Sequence, residues 1–495
     1  MVESVRHVRV AIVGTGFAGL GMAIQLKRRG ENDFVVLERA RDVGGTWRDN
    51  TYPGAACDIR SDLYSFSFAP NPDWAYSYGR QPEILNYLRD TARQFDVVPH
   101  ILFERELERA EWNDDAAAWT LTTSRETLTA DVLVAGHGPL IEPVWPSIPG
   151  LESFAGASFH SARWDHSVSL KGKRIAVIGT GASSIQLVPE LQQVASQLTL
   201  FQRTPPWIIP RADRPTSERR RQLFRRYPAL QRASRSWIFR MAEVRFIGFR
   251  SAFVGGLFQV FATWFRNSQV HDPRLRQQLT PNYRVGCKRI LVSSNFYPTL
   301  SQPNVELVTN AIVRIDNSTL VTADGARREF DVLVCGTGFD ATHPPIAALI
   351  HGRNNESLRH AWSDRMSALH GTTVAGFPNL FLLVGPNTSL GHNSMIYIIE
   401  AQIDYVLQAL ELLRSSGARS LEPLATAQDD YNSGIQSDLE GSVWTSGGCT
   451  SFYLDATGRN TTLWPQRAGL FRRSVRSFRA DEYVVDHGVR EATNA

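Results

Sequence analysis

Cysteine is scarce and scattered in this 495-residue chain: Cys57, Cys287, Cys335 and Cys449 stand far apart, and no two form a Cys-x-x-Cys pair. That spacing argues against a disulfide framework, a structural zinc site and a redox-active dithiol. No metal is expected, and a reducing, cytoplasmic setting fits. A surplus of one charge is also missing. The 53 Lys and Arg stand beside 49 Asp and Glu, a net charge of +4, and the basic residues gather into no arm; nucleic acid is therefore not an implied partner. Long apolar runs are lacking too. The most apolar long stretch, residues 247–265, contains Arg250, Gln259 and three glycines, which falls short of the ~20 apolar residues a bilayer span needs. It reads as a buried helix, and no integral membrane segment is expected. At the amino terminus no small-residue cleavage site follows the apolar residues 8–13, which read as a strand and not as a signal peptide.

What is present is ordinary in composition, 43% hydrophobic and 21% charged, so the chain can bury real cores. Its length exceeds a single core and implies roughly two to four domains. A βαβ pattern opens the chain: apolar residues up to Val13, a glycine turn, a helical stretch through Leu26, then Phe34 to Leu37 ending at Glu38. The pattern returns at Arg174 to Ile178, followed by a second glycine turn, a helix through Leu191 and the strand Leu198 to Phe201. The fold class is therefore α/β, with two Rossmann-like dinucleotide-binding domains. Between about 212 and 280 an Arg-, Phe- and Trp-rich stretch without strand alternation predicts a helical insertion. The expected division is 1–145 for the first domain, 146–330 for the second with its insertion, and 331–495 for a return to the first, beginning at a strand near residue 331.

Gly14, Gly16 and Gly19 follow a strand and open a helix, a geometry that lets a pyrophosphate approach backbone N–H groups. Glu38, about 20 residues on, can accept both ribose hydroxyls of an adenosine, as in NAD or the adenosine half of FAD. The second turn, Gly179-Thr180-Gly181-Ala182-Ser183-Ser184, has serine in place of the third glycine, and its second strand runs into Arg203 and Thr204 instead of an acid. A guanidinium there can pair with a 2′-phosphate, so the second site reads as one for NADPH. Two nucleotide sites imply electrons passing from nicotinamide to flavin. With no dithiol to receive them, oxygen or a bound small molecule is left.

Just before the second unit, the stretch Phe154 to Asp165 contains Phe154, Gly156, His160 and Trp164 in the pattern Phe-x-Gly-x-x-x-His-x-x-x-Trp-Pro/Asp. With it this chain resembles the Baeyer–Villiger monooxygenases, relatives of the flavin-containing monooxygenases. Gly44-Gly45-Thr46-Trp47, Tyr52-Pro53-Gly54, Lys288-Arg289 and Asn393-Ser394-Met395 occur in the family's order, so the resemblance covers nearly the whole chain. Cys335, where alanine is more usual, and Ser184 depart from the pattern. The resemblance implies that NADPH reduces FAD, that O2 forms a C4a-peroxyflavin, and that a small ketone becomes an ester or lactone with NADP+ retained. It assigns Asp58 and Arg289 to the flanks of the flavin as catalytic residues, Arg289 stabilising negative charge and Asp58 holding it and contacting the cofactor. It adds Gly45, Thr46 and Met395 to the FAD site and Lys288 to the 2′-phosphate site.

Other readings of the same residues stay open at this level. By itself Asp58 reads as a turn cap and Lys288-Arg289 as a solvated basic pair. Trp47 and Tyr64 are flavin contacts or ordinary aromatic core. His160 is assigned to the interdomain linker and not to proton transfer. The functional alternative is S- or N-oxygenation with the same cofactors, the substrate then being a sulfide or amine. A rival of another class is a flavin-binding regulatory module that has lost oxygenation.

Overall fold

In the computed structural model, which describes residues 5–488, two parallel-rich sheets carry the chain; residues 1–4 and 489–495, the ends of the first and third expected segments, lie outside it. The second half of Arg6–Val13, Val10 to Val13, is apolar because it runs through the middle of the first sheet. It pairs in parallel with Phe34–Glu38 on one side and Thr127–Ala135 on the other. Leu107–Asn113, Ala118–Thr123 and Thr127–Ala135 form an antiparallel meander. The helix Phe17–Arg28 packs into the same core, which includes Val10, Ile12, Leu20, Ile24 and Phe34. The second sheet has five parallel strands in the order Val305–Val308, Gln197–Phe201, Arg174–Ile178, Val332–Cys335, Ala157–His160.

Three sequence expectations need correction. Val332–Cys335 belongs to the second sheet, between Arg174–Ile178 and Ala157–His160. The return to the first sheet comes later, at Ile350–His351 and Leu380–Leu382. A short strand buried on both faces looks the same in either sheet, so its pattern did not identify its neighbours. His160 and the residues before it likewise form the edge strand of the second sheet and not a linker. The stretch 247–265 is neither continuous nor buried. It breaks between Ile247–Arg250 and Ala252–Gln269, where the Ser251 hydroxyl caps the second helix. Phe253 is 77% exposed and Val260 68%. Apolar content says that a helix has an apolar face, not that the fold covers it. The insertion itself consists of helices between Glu218 and Gln278.

Candidate active site

The first glycine turn is closed too tightly for side chains. A Cβ on Gly19 would stand 1.8 Å from the Gly14 carbonyl oxygen, and Gly14 itself has φ +92°. Gly16 caps the Phe17–Arg28 helix with extended backbone, leaving the helix N–H groups pointing outward. The Gly44-Gly45 turn leans on this loop, a Gly45 Cβ falling 3.1 Å from Gly16 Cα. Thr46 starts the short helix that follows. Buried Glu38 accepts from the Thr15 hydroxyl at 2.5 Å and from the Ala40 N–H at 2.9 Å, and pairs with Arg48 at 2.7 Å. Trp47 Nε1 donates to the Tyr64 hydroxyl at 3.1 Å, and the two rings meet edge to face. Met395 opens the Met395–Ser416 helix, its Sδ accepting from the Leu390 N–H.

Asp58 and Arg289, 231 residues apart in sequence, are joined at one wall of a cavity of about 90 Å³. Arg289 Nε and Nη2 both donate to Asp58 Oδ2, at 2.9 and 2.5 Å; Nη1 has no partner among the described residues. The Asp58 carboxylate raises the guanidinium's pKa further above its ordinary value, against the opposing effect of burial. Ile59, Phe249, Phe258, Ile290 and Leu390 contribute apolar lining, beside Arg245, His392 and Asn393. Tyr453 lies close enough to the pair for their charges to act on it, and burial pushes its phenol up to about 12.

At the second glycine turn a Cβ on Gly179 would stand 2.5 Å from the Gly336 carbonyl oxygen. Gly181 caps the helix Ala182–Gln192. Ser183 stands beside the Tyr52 hydroxyl, whereas Ser184 is fully buried, its Oγ 2.1 Å from where a Gly336 Cβ would be. Arg203 is exposed just past the Gln197–Phe201 strand, and the Thr204 carbonyl accepts from Thr180 Oγ1 at 3.0 Å. Burial, with the nearby Arg203 cation adding to it, lowers the Lys288 pKa. An anion placed between Arg203 and Lys288 would relieve the repulsion felt by the Lys288 ammonium.

In the segment before the second unit, Phe154 is buried, and a Gly156 Cβ would lie 2.3 Å from the Asp331 carbonyl oxygen. Trp164 packs edge to face on Phe159. Buried His160 accepts from the Ala162 N–H at 3.1 Å. Burial, helped by Arg163, pushes its imidazole down to about 4; a ring neutral at neutral pH matches a structural role and not proton transfer.

Sequence reasoning missed three features. Gln186 clamps the two units, accepting from the Tyr52 hydroxyl at 2.9 Å and donating to the Ala56 carbonyl at 3.0 Å. His392 lines the Arg289 cavity and is held by Glu243 of the insertion at 3.1 Å. Cys287 and Cys449 form a disulfide beside Lys288-Arg289, overturning the reading that spacing excluded one. Partners 162 residues apart leave no local motif, so only the fold reveals the pair.

Residues 7–233 match the family model described as flavin-binding monooxygenase-like. A "Baeyer-Villiger monooxygenase" of Streptomyces coelicolor is 48% identical over 481 residues, covering 97% of this chain and 93% of the relative. Among solved structures, cyclohexanone monooxygenase from Rhodococcus sp. Phi1 bound to NADP+ aligns with a TM-score of 0.89 at 27% identity, over 98% of this chain and 100% of the other. OTEMO in complex with FAD and NADP aligns with a TM-score of 0.86 at 25% identity, over 97% and 99% of the two chains.

Proposed function

Because the chain belongs to the Baeyer–Villiger monooxygenases, we propose that it oxygenates a small apolar ketone held against the Arg289–Asp58 pair, giving an ester or lactone. The class of chemistry is flavin-dependent oxygen insertion with FAD, NADPH and O2. The residues fit both nucleotides. The backbone packs so closely at Gly14, Gly19 and Gly179 that a Cβ would meet a carbonyl oxygen, which keeps each turn tight over its helix N-terminus, and a buried carboxylate, Glu38, closes the first. Gly14, Gly16, Gly19, Glu38 and Gly45 would hold FAD, while Gly179, Gly181, Arg203 and Lys288 would hold NADPH. Bound FAD, reduced by NADPH, supplies the oxygen activation.

The observation that carries the ketone assignment is the Arg289 guanidinium, fixed by Asp58 through two of its N–H groups at the wall of a cavity that Ile59, Phe249, Phe258 and Leu390 also line, with Nη1 unpartnered among the described residues. When a carbonyl carbon is attacked its oxygen gains negative charge, and a permanent cation already in place stabilises that charge without reorganising. Asp58 orients the fork, and Glu243 positions His392 on the same cavity. A sulfide or amine develops no such oxyanion, so Arg289 would contribute little to its oxygenation. A cytoplasmic setting belongs to this reading through the demand for NADPH as reductant, while the Cys287–Cys449 disulfide removes the support that the cysteine spacing gave it.

The test is to purify the holoenzyme, identify both nucleotides, and incubate it with NADPH, O2 and matched ketones and sulfides. Esters or lactones heavier than the ketone by one oxygen atom are expected. Sulfoxide formation with no ketone product, or NADPH consumption unaffected by any substrate, would overturn the assignment.

A further inference from the structure

The insertion helices present an outer face that oxygenation does not use. On Pro228–Arg245 the exposed Trp237, Met241 and Val244 recur at steps of four and three residues. On Ala252–Gln269 Phe253, Leu257, Val260 and Trp264 recur at steps of four, three and four. Each set therefore forms a stripe along one side of its helix. Trp264 is 63% exposed, and apolar stripes of this kind on neighbouring helices mark an interaction surface. The helical pair bends by 107° at Ser251, and no single helix among the described residues is long and apolar enough to cross a membrane. Helices with an apolar stripe that do not span can lie along an interface.

Charge decides what covers the face. Residues 218–250 hold ten arginines against Glu218 and Glu243. Arg220, Arg221, Arg225 and Arg235 pair with carboxylates, Arg245 lines the Arg289 cavity and Arg250 donates to the Asp438 carbonyl; Arg219, Arg226, Arg232 and Arg240 are exposed with no ion pair among the described residues. A two-fold dimer through this face would set one copy's arginines against the other's, because a symmetric interface is self-complementary. An anionic lipid surface has the opposite charge, and its headgroup region suits exposed Trp and Phe.

We propose that this face docks on an anionic lipid surface, Phe253, Leu257, Val260 and Trp264 entering the headgroup boundary and the arginines meeting lipid phosphates. The inner sides of the same helical pair, Gly248, Phe249 and Phe258, line the cavity that holds Arg289. The docked face is thus continuous with the pocket wall, and an apolar ligand dissolved in the lipid meets the protein beside its pocket. Docking itself is independent of the oxygenation chemistry.

The test is co-sedimentation of the holoenzyme with vesicles of phosphatidylcholine alone and of phosphatidylcholine mixed with phosphatidylglycerol. Pelleting is expected with the mixed vesicles, weakening as salt rises, with little on phosphatidylcholine alone. The variant F253S/V260S/W264S, altered only at exposed positions, should keep its bound flavin and lose at least about ten-fold in vesicle affinity. Should that variant fold poorly, R226E/R240E, which leaves the apolar stripe intact, should show the same loss. Absence of pelleting with either vesicle, or unchanged pelleting by folded variants, would overturn the proposal. So would a concentration-dependent dimer that F253S/V260S/W264S converts to monomer, which would assign the face to a second copy.

Discussion

Arg289 spends two of its N–H groups on one oxygen of Asp58, and that economy sets the outcome of removing it. A preorganised charge aimed at a developing oxyanion is worth ~10²–10³ in rate. Arg289→Ala should therefore retain FAD and still oxidise NADPH, while ester formation falls by about that factor and hydrogen peroxide accumulates. Product and peroxide measured in one assay check this, and native rate and coupling would reduce Arg289 to a structural partner of Asp58. Arg289→Lys keeps the charge without the fork and should recover only part of the product. At the nicotinamide site, Arg203→Ala removes a charge-assisted contact worth ~1.5–3 kcal/mol. KM for NADPH should rise by about 10- to 100-fold with NADH kinetics nearly unchanged; an equal change for both would move the 2′-phosphate site elsewhere. Both arginines were legible in the sequence, one as the basic replacement for an expected acid and the other through ordered landmarks. Arg48, which pairs with Glu38, was not, because nothing local distinguishes it from a solvated helix arginine.

Elements were legible where their pattern is local and opaque where it depends on a distant neighbour. The strands Arg6–Val13, Phe34–Glu38, Arg174–Ile178 and Gln197–Phe201, with the glycine turns and helices between them, announce themselves within about thirty residues. The sheet that Val332–Cys335 joins does not, and neither does the contact between units. Gln186 sits on the helix Ala182–Gln192, yet its amide is spent across the boundary on Tyr52 and Ala56. Gly54 comes so close to the same turn that a Cβ would stand 2.6 Å from the Gln186 carbonyl oxygen. Gln186→Ala would strand the Tyr52 hydroxyl and the Ala56 carbonyl at a partly buried boundary, costing about 1–3 kcal/mol. A melting temperature lower by a few degrees is expected, together with slower flavin reduction by NADPH at unchanged FAD content, since the clamp acts between the units and not within either site. Calorimetry with stopped-flow reduction checks both, and an unchanged reduction rate would confine Gln186 to packing.

At the scale of the whole molecule, the Cys287–Cys449 disulfide ties the segment that follows the insertion to the late segment that closes beside the cavity. Around it, the Arg284 N–H donates to the Gly447 carbonyl at 3.0 Å, and fully buried Trp444 stacks on Phe249 of the cavity wall. A cross-link that closes a 162-residue separation limits the unfolded chain more than a short loop would, and removing such a bond typically costs ~2–5 kcal/mol. Its neighbours in sequence are Lys288 and Arg289, so slack introduced there should reach the fork on Asp58 before it reaches the distant FAD turn. Reduction of the native holoenzyme should therefore lower its melting temperature and raise the share of NADPH that ends as hydrogen peroxide, with FAD retained. Cys449→Ser should show both changes without reductant and respond no further when reductant is added. Thermal scans and coupling assays of the two proteins, with and without reductant, read the effect directly. A native protein whose melting and coupling ignore a reductant shown by thiol titration to have opened the bond would mean that the surrounding packing alone holds the late segment against the pocket.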